Sequence, residues 1–149
     1  MSQRQISSVG LHLVEVSEGF RPAKYKDVAG YWTIGYGHYI KPWEKLEVVT
    51  EQEAQVILEA DLNDAESSVL RLIRVPLQDG QFDALVDFTF NLGGGALQRS
   101  TLRSCLNRGE YSDAANELPK WCMAGGRKWK ALFDRRVKER NLFLYGVLL

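Results

Sequence analysis

The spacing of apolar residues changes period twice within the first seventy positions, and this change limits what the chain can fold into. Ile6, Val9, Leu13 and Val16 recur three or four apart, with Phe20 extending the stripe. That spacing puts side chains on one face of an α-helix. It predicts a first helix over about 3–18, ended by Gly19 and kept from continuing by Pro22. From Ala23 to Ile40 the texture differs: Tyr25, Val28, Tyr31, Trp32, Ile34, Tyr36 and Tyr39 mix with glycines. Aromatic and β-branched residues between glycine breaks predict a small, sharply turned antiparallel sheet. Helical spacing then returns behind Thr50-Glu51-Gln52-Glu53, a capping-box pattern. Ala54, Ile57, Leu58, Leu62, Val69, Leu70 and Ile73 carry one helix, or two joined, of about 50–73, with an acidic, exposed polar face.

The rest reads as helices. Asp79 is placed to cap a helix of about 80–92. Phe82, Leu85, Val86, Thr89 and Phe90 cover so much of it that it should lie at the centre of a helical lobe. Gly93-Gly94-Gly95 ends it. Ser100 caps a short helix closed by Asn107-Arg108-Gly109, and Ser112 caps another, ended by Pro119. After Gly125-Gly126 a last helix of about 129–144 carries Trp129, Leu132, Phe133, Val137, Leu142 and Phe143. The order of helix, small sheet, connecting helix and helical lobe is α+β, mostly α, with room for a cleft between lobes.

At 149 residues the chain is long enough for one domain with a real core. Hydrophobic content of 45% and charged content of 26% exclude a disordered chain. Charge is uneven: residues 1–97 hold 8 Lys and Arg against 14 Asp and Glu, and residues 98–149 hold 11 against 5. This suits an anionic partner for the second half or attraction between the halves, although most single charges sit on solvated faces. Two cysteines, Cys105 and Cys122, are too few for a disulfide framework and suit a reducing cytosol. Nothing has metal-ligand spacing, and no cofactor is implied.

Glu18 and Asp27 stand nine residues apart in Ser17–His38, with Thr33 six further on. Glu18 falls in the last turn of the first helix. There the carbonyl end of the dipole disfavours a carboxylate, which should tend to raise its pKa and suit it as a general acid. Asp27 falls in a glycine- and aromatic-rich turn and should be ionised, and Thr33 could hold a water against it. One protonated and one ionised carboxyl across a gap is what glycosidic cleavage needs. The residues alone equally allow a solvated Glu18 and an Asp27 that makes only a turn bond.

The words around these residues, "EGFR", "YKD" and "GYWTIGYGH", resemble the phage-type lysozymes, the endolysins of glycoside hydrolase family 24 to which the T-even phage lysozyme belongs. Their pattern of Glu, eight residues, Asp, five residues, Thr is met by Glu18, Asp27 and Thr33. "VPLQDGQFDALVDFTFNLGGGALQRSTL" resembles the helix-and-loop segment on the far wall of the cleft, and "KWCMAGG" with "RRVKER" the closing segment. The similarity covers about residues 6–145. It implies one lysozyme-like catalytic domain over 1–149, with a sheet lobe of about 20–60, a helical lobe of about 1–18 and 70–149, a long joining helix and an active-site cleft between.

The implied activity is a muramidase that hydrolyses the β-1,4 bond between N-acetylmuramic acid and N-acetylglucosamine. Glu18 would protonate the leaving oxygen, and Asp27 with Thr33 would position water or steady the oxocarbenium-like charge. Inversion is implied, with carboxyls about 6.5–9.5 Å apart. Tyr39, Phe90 and Thr101 match positions that contact glycan. Phe90 equally suits the core, Thr101 capping, and Tyr39 covering the sheet. Arg135 matches a residue that reaches toward the catalytic glutamate; the competing reading is a surface pair with Asp134 or Glu139. His38 matches a structural histidine paired with Asp61. Cys122 and Met123 depart from the polar residues usual in the closing segment.

Three rival readings remain. A lytic transglycosylase would use one acid, which Asp27 and Thr33 argue against. A wall-binding module would not need the acid, base and threonine. Nucleic-acid binding through "GGRKWKALFDRRVKER" fits loosely, but the first half is acidic. The expected partner is therefore peptidoglycan glycan strands, with no nucleic acid and no stable membrane insertion, acting as a monomer. No N-terminal apolar run is long enough for a signal peptide or a span. The expectation is accumulation in the host cytoplasm and passage to the periplasm or cell wall through a holin-type membrane lesion.

Overall fold

The computed structural model describes residues 3–149; residues 1 and 2, at the head of the expected helical lobe, lie outside the described residues. The described chain is mostly helical with small antiparallel sheets, α+β as the sequence predicts. It divides into two compact units. Val14–Asn63 form one, and Asp64–Leu149 with the chain up to Leu13 form the other.

In the Val14–Asn63 unit, helix α1 (Ser8–Glu18) contributes its last turns and is followed by strands β1 (Arg21–Lys26), β2 (Trp32–Gly35) and β3 (His38–Tyr39), antiparallel in that order. Tyr25 pairs with Thr33 across β1 and β2, and Thr33 pairs with Tyr39 across β2 and β3. The free edge of β1 is covered by the chain before the next helix. Lys24 N–H donates to the Glu47 carbonyl at 3.0 Å and Val49 N–H to the Pro22 carbonyl at 2.8 Å. Pro22 is tolerated within β1 because this edge asks it for an acceptor only. Ile34, Val49, Ala54, Leu58 and Leu62 are buried beneath the sheet.

Helix α2 (Glu51–Leu72) is one helix, not two joined, and passes from this unit into the other. Its capping box forms as predicted: Glu53 N–H donates to Thr50 Oγ1 at 3.1 Å and Thr50 N–H to Glu53 Oε1 at 2.9 Å. Its polar face is not wholly exposed, since Glu66 is buried.

That carboxylate explains why the first helix starts at Ser8 rather than near residue 3. Ile6 N–H donates to Glu66 Oε2 at 2.7 Å, and Ser7 N–H to Asp83 Oδ1 at 2.9 Å, with the Ser7 hydroxyl on the other Asp83 oxygen. These donors are spent on buried acids, so helical bonding begins only with Leu11 N–H to the Ser7 carbonyl.

The other unit is built around helix α3 (Asp79–Leu92), whose Phe82, Leu85, Val86 and Phe88 are buried. Gln78, not Asp79, heads it: Gln78 N–H donates to Gln81 Oε1, while Asp79 takes the Arg4 guanidinium at 2.9 Å. The glycines after α3 do more than end it. Gly93 turns the chain at φ +95°, and Gly94 opens helix α4 (Gly94–Arg99). Ser100 caps helix α5 (Thr101–Asn107) as predicted, accepting from Arg103 N–H at 3.0 Å. Ser112 lies inside helix α6 (Tyr111–Glu117) instead of capping it, and Pro119 is carried in a single 3-10 turn, Leu118–Lys120. Gly125 and Gly126 join a hairpin of β4 (Met123–Ala124) and β5 (Arg127–Lys128) that spacing did not reveal.

Helix α7 (Lys130–Tyr145) departs most from expectation. Trp129 and Phe133 stay exposed, and the buried stripe is Arg135, Arg136 and Glu139 with Leu142 and Phe143. Helix α3 against it offers a buried acid, Asp87, in place of a purely apolar face. Gly80 lets the helices close: a Cβ there would stand 2.5 Å from the Leu142 carbonyl oxygen.

Candidate active site

Glu18 is the last residue of α1 and is half-buried. Gly19 N–H closes the helix on the Glu15 carbonyl at 2.9 Å and turns the chain at φ +76°. The turn between β2 and β3 comes close to this carboxyl. A Cβ on Gly37, where φ is +75°, would lie 2.9 Å from Glu18 Oε1. Gly37 thus has both the conformation and the space that another residue would lack.

Asp27 follows β1 and is fixed by its own turn. Oδ1 accepts the N–H groups of Ala29 and Tyr31, each at 2.9 Å. Its backbone N–H donates to the Tyr31 carbonyl, and its carbonyl accepts from Gly30 N–H, both at 2.9 Å. The turn bond that the sequence left open is therefore made, but with one carboxylate oxygen. Two amide donors on one oxygen set the direction of the other, Oδ2.

Thr33 sits in β2, buried, and its hydroxyl donates to the Tyr31 carbonyl at 3.0 Å. The hydroxyl proton is therefore spent, and what Thr33 Oγ1 offers further is an acceptor. The Tyr31 backbone joins the two residues: its carbonyl takes both Asp27 N–H and the Thr33 hydroxyl, and its N–H holds Asp27 Oδ1. Spacing gave no signal for Tyr31, because the group that acts is backbone.

Of the residues matched to glycan contacts, Tyr39 is 43% exposed and lies directly across the sheet from Thr33. Phe90 is half-exposed near the end of α3, outside the fully buried core. Thr101 is exposed as the first residue of α5, and the cap is Ser100, not Thr101. Arg135 is 8% exposed, and its Nε and Nη2 lie 3.0 and 2.8 Å from the two oxygens of Asp87. The reading of Arg135 as a surface pair with Asp134 or Glu139 is therefore overturned. Asp134 is taken by Lys130 and Glu139 by Arg136, through two contacts of 2.7 Å.

Asp87 and Glu139 also share a hydrogen bond. Burial drives both carboxyls toward the neutral form. Burial and the neighbouring Asp87 hold Glu139 well above the usual carboxylate range, whereas Asp87 falls below it through its bonds to Glu139 and Arg135. One signal could have marked this cluster: Asp83 and Asp87 are acids four apart in an otherwise apolar helical run, which places both on its buried face.

His38 pairs with Asp61 as expected, Nδ1 to Oδ2 at 2.7 Å. The sequence did not reveal its second partner, Glu44, 3.0 Å from Nε2. Burial pushes the Glu44 carboxyl up, but Lys41 N–H and His38 outweigh it and the net direction is down. With both nitrogens on carboxyl groups, the ring serves as a clamp between β3, the 41–47 loop and α2, with no nitrogen left for proton transfer.

The phage lysozyme family model matches residues 15–139, from before Glu18 to beyond Arg135. The chain belongs to the phage lysozyme family. It is 43% identical over 143 residues to an endolysin of Bacillus phage B103, covering 95% of this chain and 54% of that protein. It spans about half the length of the first two phage endolysins it matches. An endolysin from Escherichia coli O157:H7 phage FAHEc1 superposes with a TM-score of 0.90 at 33% identity, covering 99% of this chain and 98% of that one. The muramidase domain of SpmX from Asticaccaulis excentricus superposes with a TM-score of 0.86 at 34% identity, covering 95% and 99%. Among the described residues no helix is long and apolar enough to cross a membrane, and no group of three or more His, Cys, Asp or Glu is placed to hold a metal ion.

Proposed function

We propose that this member of the phage lysozyme family is an endolysin that hydrolyses the β-1,4 bond between N-acetylmuramic acid and N-acetylglucosamine in peptidoglycan. Glu18 donates the proton to the leaving glycosidic oxygen, Asp27 is the general base, and Thr33 orients the water.

The observation that carries this reading is how the Asp27 and Thr33 side chains are bonded. Asp27 Oδ1 is occupied by two backbone amides, and the Thr33 hydroxyl proton by the Tyr31 carbonyl. What remains are two acceptors, Asp27 Oδ2 and Thr33 Oγ1. A water that gives one hydrogen to each turns a lone pair outward, toward the anomeric carbon of a bound sugar. As that pair attacks, the proton moves to Asp27, and Glu18 delivers its own to the departing oxygen. Bonds and charge balance without a metal or a covalent intermediate. Tyr39, Phe90, Thr101 and Arg135 are proposed to bind the substrate, Arg135 from a rigid seat on Asp87.

The identity to an endolysin of a Bacillus phage and to a muramidase domain supports this reading over wall binding without catalysis. On it, the enzyme acts as a monomer, stays in the host cytoplasm until a holin-type lesion opens the membrane, then reaches the wall and causes lysis. The test is reducing-end release from purified peptidoglycan by wild type, Glu18→Gln and Asp27→Asn, with mass spectrometry of the products. The reading requires hydrated reducing ends and a loss of about 10²–10⁴-fold in either variant. A 1,6-anhydro product would make the enzyme a lytic transglycosylase.

A further inference from the structure

Tyr36 and Gly37 form the two-residue turn that joins β2 to β3. Residues at such a tip ordinarily face water, yet Tyr36 is 5% exposed. Its ring packs on Phe20, two residues past Glu18, with centroids 5.5 Å apart. Its hydroxyl donates to Glu51 Oε1 at 3.1 Å, and Glu51 is the first residue of α2. Burial pushes the pKa of this hydroxyl up to about 12, helped by the bond to Glu51 and by the charges of Glu15 and Glu51, so it remains a donor through the neutral range.

The same stretch of α2 holds the neighbouring segments. A Cβ on Gly35, where φ is +67°, would lie 3.1 Å from the Ala54 Cβ, so the end of β2 rests directly on the helix. Gln55 Nε2 donates to Glu15 Oε2 at 2.8 Å, and the Glu15 carbonyl accepts Gly19 N–H at the end of α1. Ala54 and Gln55 follow Glu51 by three and four positions, so the three share one helix face. That face anchors both segments that meet at the acid. Gln55 holds the end of α1, which carries Glu18, and Glu51 holds Tyr36, whose neighbour Gly37 has no room for a Cβ beside Glu18 Oε1. Tyr36 joins the two: its ring lies on the chain just after the acid, and its backbone leads into Gly37.

We propose that Tyr36 is a positioning residue of the reaction: its bond to Glu51 fixes the 36–37 turn and, through Gly37, the direction in which Glu18 delivers its proton. The inference rests on the reading of Glu18 as the general acid and adds to it the residue that aims that acid.

The test compares two soluble substrates. One is a peptide-free peptidoglycan fragment, whose leaving sugar must be protonated. The other is the dinitrophenyl β-glycoside of N-acetylglucosaminyl-N-acetylmuramic acid, whose phenolate leaves without a proton. Tyr36→Phe keeps the ring on Phe20 and removes only the tie to Glu51. Expected is a kcat about tenfold lower on the fragment, with KM within about twofold of wild type and kcat on the aryl glycoside unchanged. Glu51→Ala, at an exposed helix start, should reproduce this split, whereas Glu51→Gln keeps an acceptor and should restore most of kcat. The double variant Tyr36→Phe with Glu51→Ala should lose no more than either alone. Equal losses on the two substrates would make Tyr36 a structural residue only. That result, unchanged rates on the fragment, or additive losses in the double variant would overturn the proposal. A wild-type enzyme inert on both substrates would sink the muramidase reading itself, an outcome distinct from an active wild type with indifferent variants.

Discussion

Arg135 lays Nε and Nη2 against both oxygens of Asp87, at 3.0 and 2.8 Å, with the carboxylate fully buried and the guanidinium 8% exposed. A paired fork of this kind fixes an arginine that would otherwise sample many rotamers. Removing one partner of a buried, hydrogen-bonded ion pair costs about 3–5 kcal/mol. Asp87→Ala should therefore lower stability in urea by about that amount. A loss within the range of an exposed pair, below about 1 kcal/mol, would mean that Arg135 finds another partner readily.

Glu139 makes the same cluster sensitive to pH. Its folded pKa is raised, so between its unfolded and folded values the native state binds more protons than the unfolded state. Its contribution is fully present below the unfolded carboxylate pKa, about 4.3, and is lost as pH rises toward the folded value. Glu139→Gln keeps a neutral donor for Asp87 and removes the titration. Unfolding curves at several pH values from acid to neutral should show a shallower decline for this variant. An unchanged slope would assign the decline to other groups.

His38 is held at both ends, by Asp61 and Glu44. His38→Asn should lower Tm, while activity per folded molecule survives. A folded but inactive variant would reverse the structural assignment and make this residue part of the catalytic machinery.

Gly37 couples the sheet to the acid. Alanine there would adopt a φ that L-residues avoid, at about 1–2 kcal/mol, and press on Glu18 Oε1. Gly37→Ala should lose kcat more than its stability loss explains, compared at a temperature where both proteins are folded. A fall in stability alone would show that the carboxyl moves aside without consequence.

Period and punctuation made much of this fold legible before any coordinates. The glycine-rich aromatic stretch became β1–β3, Thr50 and Glu53 built their box, and Ser100 capped α5. Local rules failed where long-range partners took over. The start of α1 is set by Glu66 and Asp83, which lie 60 and 76 positions away from the residues they hold. The buried face of α7 is charged because Asp87 meets it, so apolar spacing pointed to Trp129 and Phe133, which remain exposed. The candidate acid, base and threonine were legible as a pattern. The Tyr31 backbone that orders two of them was not, since a carbonyl has no letter in a sequence.

Thr33 should matter as an acceptor rather than a donor, because its proton is already given to Tyr31. Thr33→Ser should keep most of kcat, and Thr33→Val, which keeps the shape, should lose about tenfold or more. Equal rates for serine and valine would remove the hydroxyl from the mechanism.

The most direct test of the water held between Asp27 and Thr33 is the anomeric configuration of the first product. Proton NMR of soluble peptidoglycan fragments, recorded within the first minutes of hydrolysis and before mutarotation, separates the two anomers. A water attacking from the face opposite the leaving group inverts the centre, so the account predicts the α-anomer. The β-anomer would contradict it and make Asp27 the nucleophile of a covalent glycosyl-enzyme, with Thr33 orienting that carboxylate instead of a water.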